Sequence, residues 1–276
     1  MEESRKISQG IGQARAAACF FWLLAVVTVA AFMVHPVWLP EVVSLHGVDV
    51  DRQMNITFGV AGAAFFVAQV LLGCCLWRFG RWLPGPALHW NESPRLEVAW
   101  TLITAVIFVG LGVQGSVIWA RTYLTEAPAD AMTLEVTGQQ FAWNVRYPGP
   151  DGKFGRTRPD KVDDAAGNYI GLDDADPAGQ DDITTQNIIA IPVNRPIRII
   201  IRSRDVLHSF FVPVLRVKQD AVPGMGIPVH FTATKTGEYE VACAELCGMQ
   251  HYKMRARFLV MTDSDFEKWL KARAAQ

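Results

Sequence analysis

Three long apolar segments dominate the first 119 residues of the chain. They cover roughly residues 16–34, 57–77 and 98–119, and none of them contains a charged side chain. About 20 apolar residues, at 1.5 Å per residue, cross the hydrocarbon core of a bilayer. The pattern therefore predicts three transmembrane helices, of which the last two form a helical hairpin over residues 57–119.

Residues 1–56 contain the first apolar segment, which has two interpretations. A basic start followed by an apolar stretch is typical of a cleaved signal peptide as well as of a retained helix. No clean cleavage site with small residues follows, because residues 32–36 read Phe-Met-Val-His-Pro. We expect an N-terminal tail, an extra transmembrane helix or signal peptide, and an outer loop in this region.

The distribution of Lys and Arg around the apolar segments predicts their orientation. The tail and the connection between the second and third segments carry these positive side chains: Arg5, Lys6, Arg15, Arg78, Arg81 and Arg95. The connection between the first two segments has only Arg52. Because positively charged loops stay in the cytoplasm, we expect residues 120–276 to lie outside it.

From residue 120 onward the pattern changes to short runs of β-forming residues. They are residues 130–147, 187–203, 207–213, 229–234, 238–243 and 255–262. Short strands at this spacing, separated by turn residues, are typical of an all-β sandwich or barrel. Residues 263–275 predict a short terminal helix, which Asp263 or Ser264 would cap.

Residues 148–183 interrupt this pattern with a long acidic segment rich in Gly, Pro and Asp. So long a loop is uncommon within a compact domain. It is either a solvated insertion or part of an electrostatic landing surface for a basic partner protein. The whole chain has a formal net charge of −1 and no basic stripe, so we expect no nucleic-acid partner.

Metal-binding side chains are concentrated between Cys243 and Met254. The stretch reads Cys-Ala-Glu-Leu-Cys-Gly-Met-Gln-His-Tyr-Lys-Met, and His208 lies upstream in Asp-Val-Leu-His. Sulfur ligands together with imidazole select copper over hard cations. A mononuclear blue-copper site needs one cysteine, whereas this stretch has two, which could bridge a pair of copper ions.

Two simpler interpretations of the same residues remain open. A structural zinc site would use Cys243, Cys247 and two histidines, and it would leave Met254 without a role. In an oxidising compartment the two cysteines could also form a disulfide. The other three cysteines lie in the apolar segments, where they behave as small hydrophobic residues.

The stretch resembles the binuclear copper (CuA) loop of cytochrome c oxidase subunit II, and the resemblance extends over roughly residues 50–270. It implies a membrane-anchored all-β fold, a cupredoxin-like Greek-key β-barrel following transmembrane helices. It also implies copper ligation by the side chains of His208, Cys243, Cys247, His251 and Met254 and by the carbonyl of Glu245. The Glu245 carboxylate would help to hold magnesium or manganese at the interface with subunit I.

Two further segments resemble the same family. Leu96-Glu97-Val-Ala-Trp100-Thr101 is similar to a motif whose glutamate lies near the mouth of a proton pathway, and without the resemblance Glu97 would be a carboxylate stabilising a helix start. Gln140-Phe141-Ala142-Trp143 is similar to the aromatic segment that receives the electron from cytochrome c. Phe141 stands where the family has its first tryptophan, so Trp143, Tyr147 or another exposed edge is an alternative entry route.

The resemblance implies a bacterial inner-membrane protein with its copper domain on the periplasmic side. Its partners would be subunit I, subunit III and cytochrome c or a similar donor, and electrons would pass to haem for reduction of oxygen to water coupled to proton pumping. No Cys-x-x-Cys-His follows the copper loop, so we expect no fused c-type haem and a donor that is a separate protein. The alternatives are a copper-bearing subunit of a nitric oxide reductase and a membrane-tethered copper chaperone.

Overall fold

The computed structural model describes residues 2–34, 39–80 and 92–275, and Arg81 lies outside these ranges. Three long helices come first: α1 (Glu2–Val34), α2 (Gly47–Phe79) and α3 (Pro94–Tyr123). Each is long and apolar enough to cross a membrane. All three exceed the apolar segments that predict them, because polar turns continue the helices beyond the apolar stretch.

The described chain divides into two compact units, which do not separate at a single point in the sequence. Residues 1–39 and 51–116 form the first unit, and residues 40–50 and 117–276 form the second. Residues 40–46, which lie before α2, thus belong to the β domain.

The β domain contains ten strands. They are β1 (Met132–Gln139), β2 (Ala142–Tyr147), β3 (Ile183–Gln186), β4 (Ile188–Pro192), β5 (Pro196–Ser203), β6 (His208–Val212), β7 (Val217–Ala221), β8 (Ile227–Thr232), β9 (Gly237–Cys243) and β10 (Arg255–Met261). One sheet has the order β3-β2-β1-β5-β8 and the other β4-β10-β9-β6-β7. Only β1 with β5 and β10 with β4 pair in parallel.

The inner faces of the two sheets form one hydrophobic core. Its largest fully buried side chains include Trp143, Tyr147, Phe210 and Phe258. Helix α4 (Asp263–Ala274) closes one side of this core with Phe266. The predicted terminal helix is confirmed, but Thr262 caps it, because its hydroxyl accepts a hydrogen bond from the Asp265 N–H at 3.3 Å.

The sequence does not predict two of the strands, because they lack a run of β-forming residues. β3 has only four residues and directly follows the acidic segment. β7 reads Val-Lys-Gln-Asp-Ala, with its polar side chains at the edge of its sheet. A short or polar edge strand gains its structure from pairing with a neighbour, and single-sequence patterns do not show that pairing.

The acidic segment 148–183 folds over the outer face of β2, and all six residues of that strand are buried. The Arg146 guanidinium donates to the carbonyl of Gly155 at 2.6 Å and stacks on the Phe154 ring, 4.7 Å from its centroid. Several aspartates of the segment serve internal hydrogen bonds; Asp182, for example, accepts from the Gly155 N–H at 2.9 Å. The segment is therefore built into the β domain.

Residues 40–46 add an extended segment to the edge of the β domain. Val43 is fully buried in the core, and its N–H donates to the carbonyl of Val214 at 2.8 Å. The Ser44 hydroxyl donates to the carbonyl of Leu215 at 2.7 Å. Ser44 also forms an isolated β-bridge with Ala233 beyond the end of β8.

Candidate metal centre

Neighbouring strands bring the metal-binding side chains together. Cys243 ends β9, and His208 begins β6, which pairs with β9 through Phe210 opposite Cys243. The loop from β9 to β10 closes on itself, because the Cys243 N–H donates to the carbonyl of Met254 at 3.0 Å. A hydrogen bond of 3.0 Å from Ala244 N–H to the Ser209 carbonyl fixes the loop to β6.

The donor atoms form one continuous cluster. The sulfurs of Cys243 and Cys247 lie 3.8 Å apart, well beyond the length of a disulfide bond. His208 Nδ1 lies 4.0 Å from the Cys243 sulfur, and His251 Nδ1 lies 3.6 Å from the Cys247 sulfur. The Met254 sulfur is 3.7 Å from that of Cys247. Each cysteine thus has one histidine beside it.

The carbonyl oxygen of Glu245 also reaches the cluster, 3.2 Å from the Cys243 sulfur. The Glu245 residue itself is exposed, so its backbone faces the cluster while its side chain is accessible to solvent. Of the other donors, His208, Cys243, Cys247 and Met254 are buried, and His251 is half-buried. The cluster is therefore shielded on the side of the core and open at His251.

The two thiols differ strongly in acidity. Although burial opposes ionisation, the pKa of Cys243 falls to about 6, because His208 and backbone groups of Ser209 and Glu245 hydrogen-bond to its sulfur. The pKa of Cys247 rises to about 12, because its sulfur is buried and lies beside the negative charge of Cys243. The second proton leaves readily only when a bound cation compensates that charge.

Asp205 orients the histidine on β6. Its Oδ1 lies 2.7 Å from His208 Nε2, which leaves Nδ1 directed at Cys243. Burial lowers the pKa of His208, but the hydrogen bonds to Cys243 and Asp205 outweigh burial and raise it. A carboxylate on the far nitrogen is the usual support of a metal-bound histidine.

The β1–β2 turn is bonded to both sides of the cluster. The Gln140 N–H donates to Asp205 Oδ2 at 2.7 Å, and the Gln140 side-chain amide donates to the carbonyl of Cys247. The half-buried Phe141 ring packs on Gly248, since a methyl group built on that glycine would lie 3.1 Å from two ring carbons. The turn therefore positions His208, through Asp205, and the backbone of the β9–β10 loop together.

Two other candidate residues, Trp143 and Glu97, lie outside the donor cluster. Trp143 is fully buried, with its ring centroid 6.0 Å from that of His208, so its indole is close to the cluster but not at the surface. Glu97 lies in the first turn of α3, where its carboxylate accepts a hydrogen bond from the Ser93 N–H at 3.1 Å. This contact is the helix-start role that a carboxylate favours.

The spacing of the donors fits a metal centre. With bonds of about 2.3 Å to sulfur and 2.0 Å to nitrogen, the sulfur and nitrogen ligands of one tetrahedral ion lie roughly 3.5 Å apart and two sulfurs roughly 3.8 Å apart. The observed separation of 3.6 Å at His251 is close to the first value, and that of 4.0 Å at His208 is longer by about half an ångström. A thioether among the donors favours copper among soft metals. Fold and site define a membrane-anchored β domain with a thiolate-rich metal centre.

Comparisons with known proteins agree with this class. The family described as cytochrome c oxidase subunit II, periplasmic domain, matches residues 132–259. The alternative cytochrome c oxidase subunit 2 of Bradyrhizobium diazoefficiens is 35% identical over 93% of this chain and 91% of its own length. Cytochrome c oxidase subunit 2 of Thermostichus vulcanus is 32% identical over 91% of this chain and 83% of its own.

Among solved structures, the periplasmic domain of subunit II of cytochrome oxidase from Bradyrhizobium japonicum is similar to this chain. It is 31% identical, with a TM-score of 0.40, and the match covers 54% of this chain and 98% of that domain.

The chain belongs to the cytochrome c oxidase subunit 2 family, whose members are part of the haem-copper oxidase enzyme complex. The family and the buried group of His208, Cys243 and Cys247 imply that the chain binds copper. The prediction of apolar helices followed by a cupredoxin-like β domain is confirmed.

The sequence analysis gives no positioning role to Asp205 and Gln140. Asp205 stands three residues before His208, a spacing that is itself a usable signal for a carboxylate supporting a histidine. Gln140 had no such signal, because its contact with Cys247 joins residues 107 positions apart.

Proposed function

We propose that this chain is the electron-accepting subunit of a terminal cytochrome c oxidase. The observation that carries the proposal is the continuous cluster of two thiolates, two imidazoles and a thioether, with neighbouring donor atoms 3.6 to 4.0 Å apart. His208 and Cys243 belong to the paired strands β6 and β9, and Cys247 and Met254 belong to the loop from β9 to β10.

The chain's own residues would hold a pair of copper ions. The two cysteine sulfurs lie between the histidines, 3.8 Å apart. Bound copper would supply a one-electron couple at this site. His208, Cys243, Cys247 and His251 would hold it, with Met254 as a further soft donor and the carbonyl of Glu245 as a weak one.

In this function the chain receives electrons one at a time from cytochrome c or a similar donor. It passes them to haem in subunit I, where oxygen is reduced to water and protons are pumped. Subunits I and III would contact the chain. The exposed Glu245 carboxylate is available to a magnesium or manganese ion shared with subunit I, because its backbone alone serves the copper cluster.

For Glu97 we propose a place near a proton pathway of subunit I. The carboxylate is exposed at the start of α3, the end that the distribution of Lys and Arg assigns to the cytoplasm. Its hydrogen bond to the Ser93 N–H fixes its position without burying it. This location suits a group that takes protons from the cytoplasmic solvent.

We further propose that the chain is a multi-pass protein of a bacterial inner membrane, with α1 retained and the β domain in the periplasm. Helix α1 makes specific contacts with α2. The Trp22 indole N–H donates to the carbonyl of Val70 at 3.3 Å, and the ring lies over Gly73, where a methyl group would be 2.4 Å from Nε1. Small residues that admit close packing are typical of transmembrane helix pairs.

The test uses the full-length chain purified in its assembled complex. We expect two copper ions per chain bound outside subunit I, and a low-temperature EPR spectrum with a seven-line pattern from one electron shared by two copper nuclei. A four-line pattern, or zinc in place of copper, would contradict the binuclear assignment.

A pair of cysteine substitutions supplies the control. Cys247→Ser removes a cluster sulfur and is expected to abolish the shared-electron spectrum. Cys75→Ser changes a free cysteine on α2 and should leave the spectrum unchanged. Equal loss in both variants would indicate an effect on assembly instead of a ligand role for Cys247.

A further inference from the structure

A cavity of about 320 Å³ lies between the connection before α2, the end of α3 and strand β8. The residues of the described chain that line it all belong to the unit of residues 40–50 and 117–276. Two histidines, His46 and His230, line it together with Glu126. None of the three belongs to the metal cluster, so the cavity is a separate place in the fold where metal-binding side chains meet.

The position of His46 is fixed by its backbone. The N–H of the preceding Leu45 donates to the carbonyl of Thr232 on β8 at 3.1 Å. The carbonyl of His46 accepts a hydrogen bond from the Asp49 N–H at 3.1 Å, in the first turn of α2. His46 therefore stands at the start of α2 with β8 beside it, and His230 lies on that strand.

The imidazole of His46 has one nitrogen in use and one without a partner. Its ring N–H donates to the backbone carbonyl of Arg216. Nε2 is buried and has no hydrogen-bond partner among the residues that the structure describes. The ring proton is therefore on Nδ1, and Nε2 keeps an accepting lone pair. A buried acceptor in this state is uncommon in folded proteins. A carbonyl bonded to the far nitrogen is also the usual support of a metal-ligating histidine.

His230 supplies a second neutral imidazole from β8. Its Nε2 lies 3.4 Å from the hydroxyl oxygen of Thr125, and that hydroxyl donates to the carbonyl of Arg121 at 2.5 Å. Because the hydroxyl proton is in use, His230 Nε2 is the donor and Nδ1 keeps the lone pair. Burial lowers the pKa of both histidines, and the nearby His230 lowers the pKa of His46 further. Both rings are therefore neutral at pH 7, the form that binds metal ions.

We propose that His46, His230 and Glu126 form a second metal site, which takes a divalent late transition ion such as zinc. Two imidazoles and a carboxylate, with water in the fourth position, are a common ligand set for zinc. Glu126 is exposed in the segment after α3, so its side chain can turn toward the two rings. The negative charges of Glu126 and Asp49 offset that of Arg121, which also lines the cavity.

An ion at this site would join the connection before α2 to strand β8. It would therefore strengthen the attachment of residues 40–46 to the β domain, which otherwise depends on buried Val43 and a few backbone hydrogen bonds. The inference does not rest on the proposed function, because its three residues lie outside the metal cluster.

The probe is zinc chloride, added to the assembled oxidase after loading with copper, so that the cysteine cluster is already occupied. After unbound metal is removed, we expect the wild type to retain one more zinc ion per chain than His46→Ala or His230→Ala. Copper content and the copper EPR spectrum should be the same in all three proteins. Glu126→Gln should retain less zinc, whereas Asp130→Asn, which alters another exposed carboxylate after α3, should retain as much as the wild type.

Hydrogen exchange gives a readout that a purely structural role of the histidines would not change. With zinc at a hundred times its dissociation constant, exchange of the Leu45 N–H should slow about 100-fold in the wild type, because opening of this bond would release the ion. In His230→Ala, zinc should leave the rate unchanged.

Equal zinc retention by the wild type and both histidine variants would overturn the inference, and so would zinc uptake at the expense of copper. If His46→Ala fails to assemble, the same comparison is made with His230→Ala, because His230 is only half-buried on β8. Zinc-dependent slowing of exchange that persists in His230→Ala would equally contradict a shared site.

Discussion

Asp205 shows how one side chain outside the donor cluster fixes the geometry of the candidate metal centre. Its carboxylate accepts from His208 Nε2 and from the Gln140 N–H, so it fixes the imidazole and the β1–β2 turn together. The ligand residues are recognisable from their types and spacing. The residues that orient them are recognisable only when their contacts are known.

We expect Asp205→Ala to weaken copper binding about 10- to 100-fold, the usual cost of losing the partner of a ligand histidine. The imidazole would then rotate, and Nδ1 would no longer be held toward Cys243. Competition with a copper chelator measures the affinity. Asp220→Ala, which removes an exposed carboxylate on β7, is the control and should bind copper normally. Unchanged affinity in Asp205→Ala would show that packing alone holds His208.

Position 248 requires glycine for two reasons: its φ is positive, and there is no space for a β-carbon. In Gly248→Ala the added methyl group meets Gln140 at 2.8 Å and the Phe141 ring at 3.1 Å. We expect a loss of about 1–3 kcal/mol of stability together with lower copper occupancy. Gly224→Ala also has positive φ but has nothing within 4 Å of the added methyl group. Thermal unfolding with copper analysis should therefore show a larger loss for Gly248→Ala than for Gly224→Ala.

At the scale of elements, the long apolar helices and the acidic segment depend on different interactions. Helices α1 and α2 pack through aromatic rings against glycines, with Phe32 over Gly62 and Trp22 over Gly73. The acidic segment instead relies on aspartates that cap turns or pair with arginines. Both elements are identified by composition, but composition does not show which residues they contact.

The packing of α1 on α2 predicts the effect of a single methyl group. Gly73→Ala should separate the two helices, because the rigid Trp22 indole occupies the position of the added carbon. We expect less full-length subunit in the assembled complex and a faster loss of α1 to added protease. Gly59→Ala on the same helix adds its methyl group in open space and is expected to behave as wild type. An N-terminus found beyond residue 34 in the assembled subunit would contradict retention of α1.

As the pH falls, the segment 148–183 should unfold before the two sheets do. The pKa of Asp164 is lowered by its hydrogen bond to Arg204, and the pKa of Asp176 is lowered by the N–H groups of Arg156 and Ala178. A carboxyl group with a lowered folded pKa stabilises the fold above its ordinary pKa of 3.8, and this contribution is lost as the pH falls through the folded value. We expect pepsin to cut the segment first as the pH is lowered below about 4.

Variants assayed at neutral pH distinguish the loss of these carboxylate interactions from general denaturation by acid. Asp164→Asn removes the charge that pairs with Arg204 at 2.7 Å and should increase proteolysis of the segment at pH 7. Asp174→Asn alters an exposed aspartate of the same segment and serves as the control. Equal protection of the wild type and both variants would mean that other contacts hold the segment, for instance the cation–π contact between Arg146 and Phe154.

For the molecule as a whole, the β domain is assembled from two separate parts of the sequence. Residues 40–50 contribute fully buried Val43 to a core that otherwise begins after residue 117. We expect a soluble protein of residues 117–275 to be less stable than one in which residues 40–50 are joined to it by a flexible linker. Burial of Val43 alone contributes about 2 kcal/mol.

Denaturant unfolding of the two soluble proteins measures this difference. In the joined protein, Val43→Asp should abolish the gain, since it places a charge in the core, whereas Leu45→Ala should preserve it because Leu45 is 63% exposed. Equal stability with and without residues 40–50 would show that the connection only lies on the domain and does not complete its core.

The sequence by itself determined the helices, most of the strands and the soft-donor residues that the structure brings into one cluster. These features depend on local pattern: apolar length for the helices, alternation for the strands and the spacing of soft donors for the site. Only the tertiary structure decided the rest. The contacts of Asp205, Gln140 and Gly248 with the cluster and the placement of Val43 in the core arise from residues distant in sequence, and chain packing, which no local pattern encodes, brings them together.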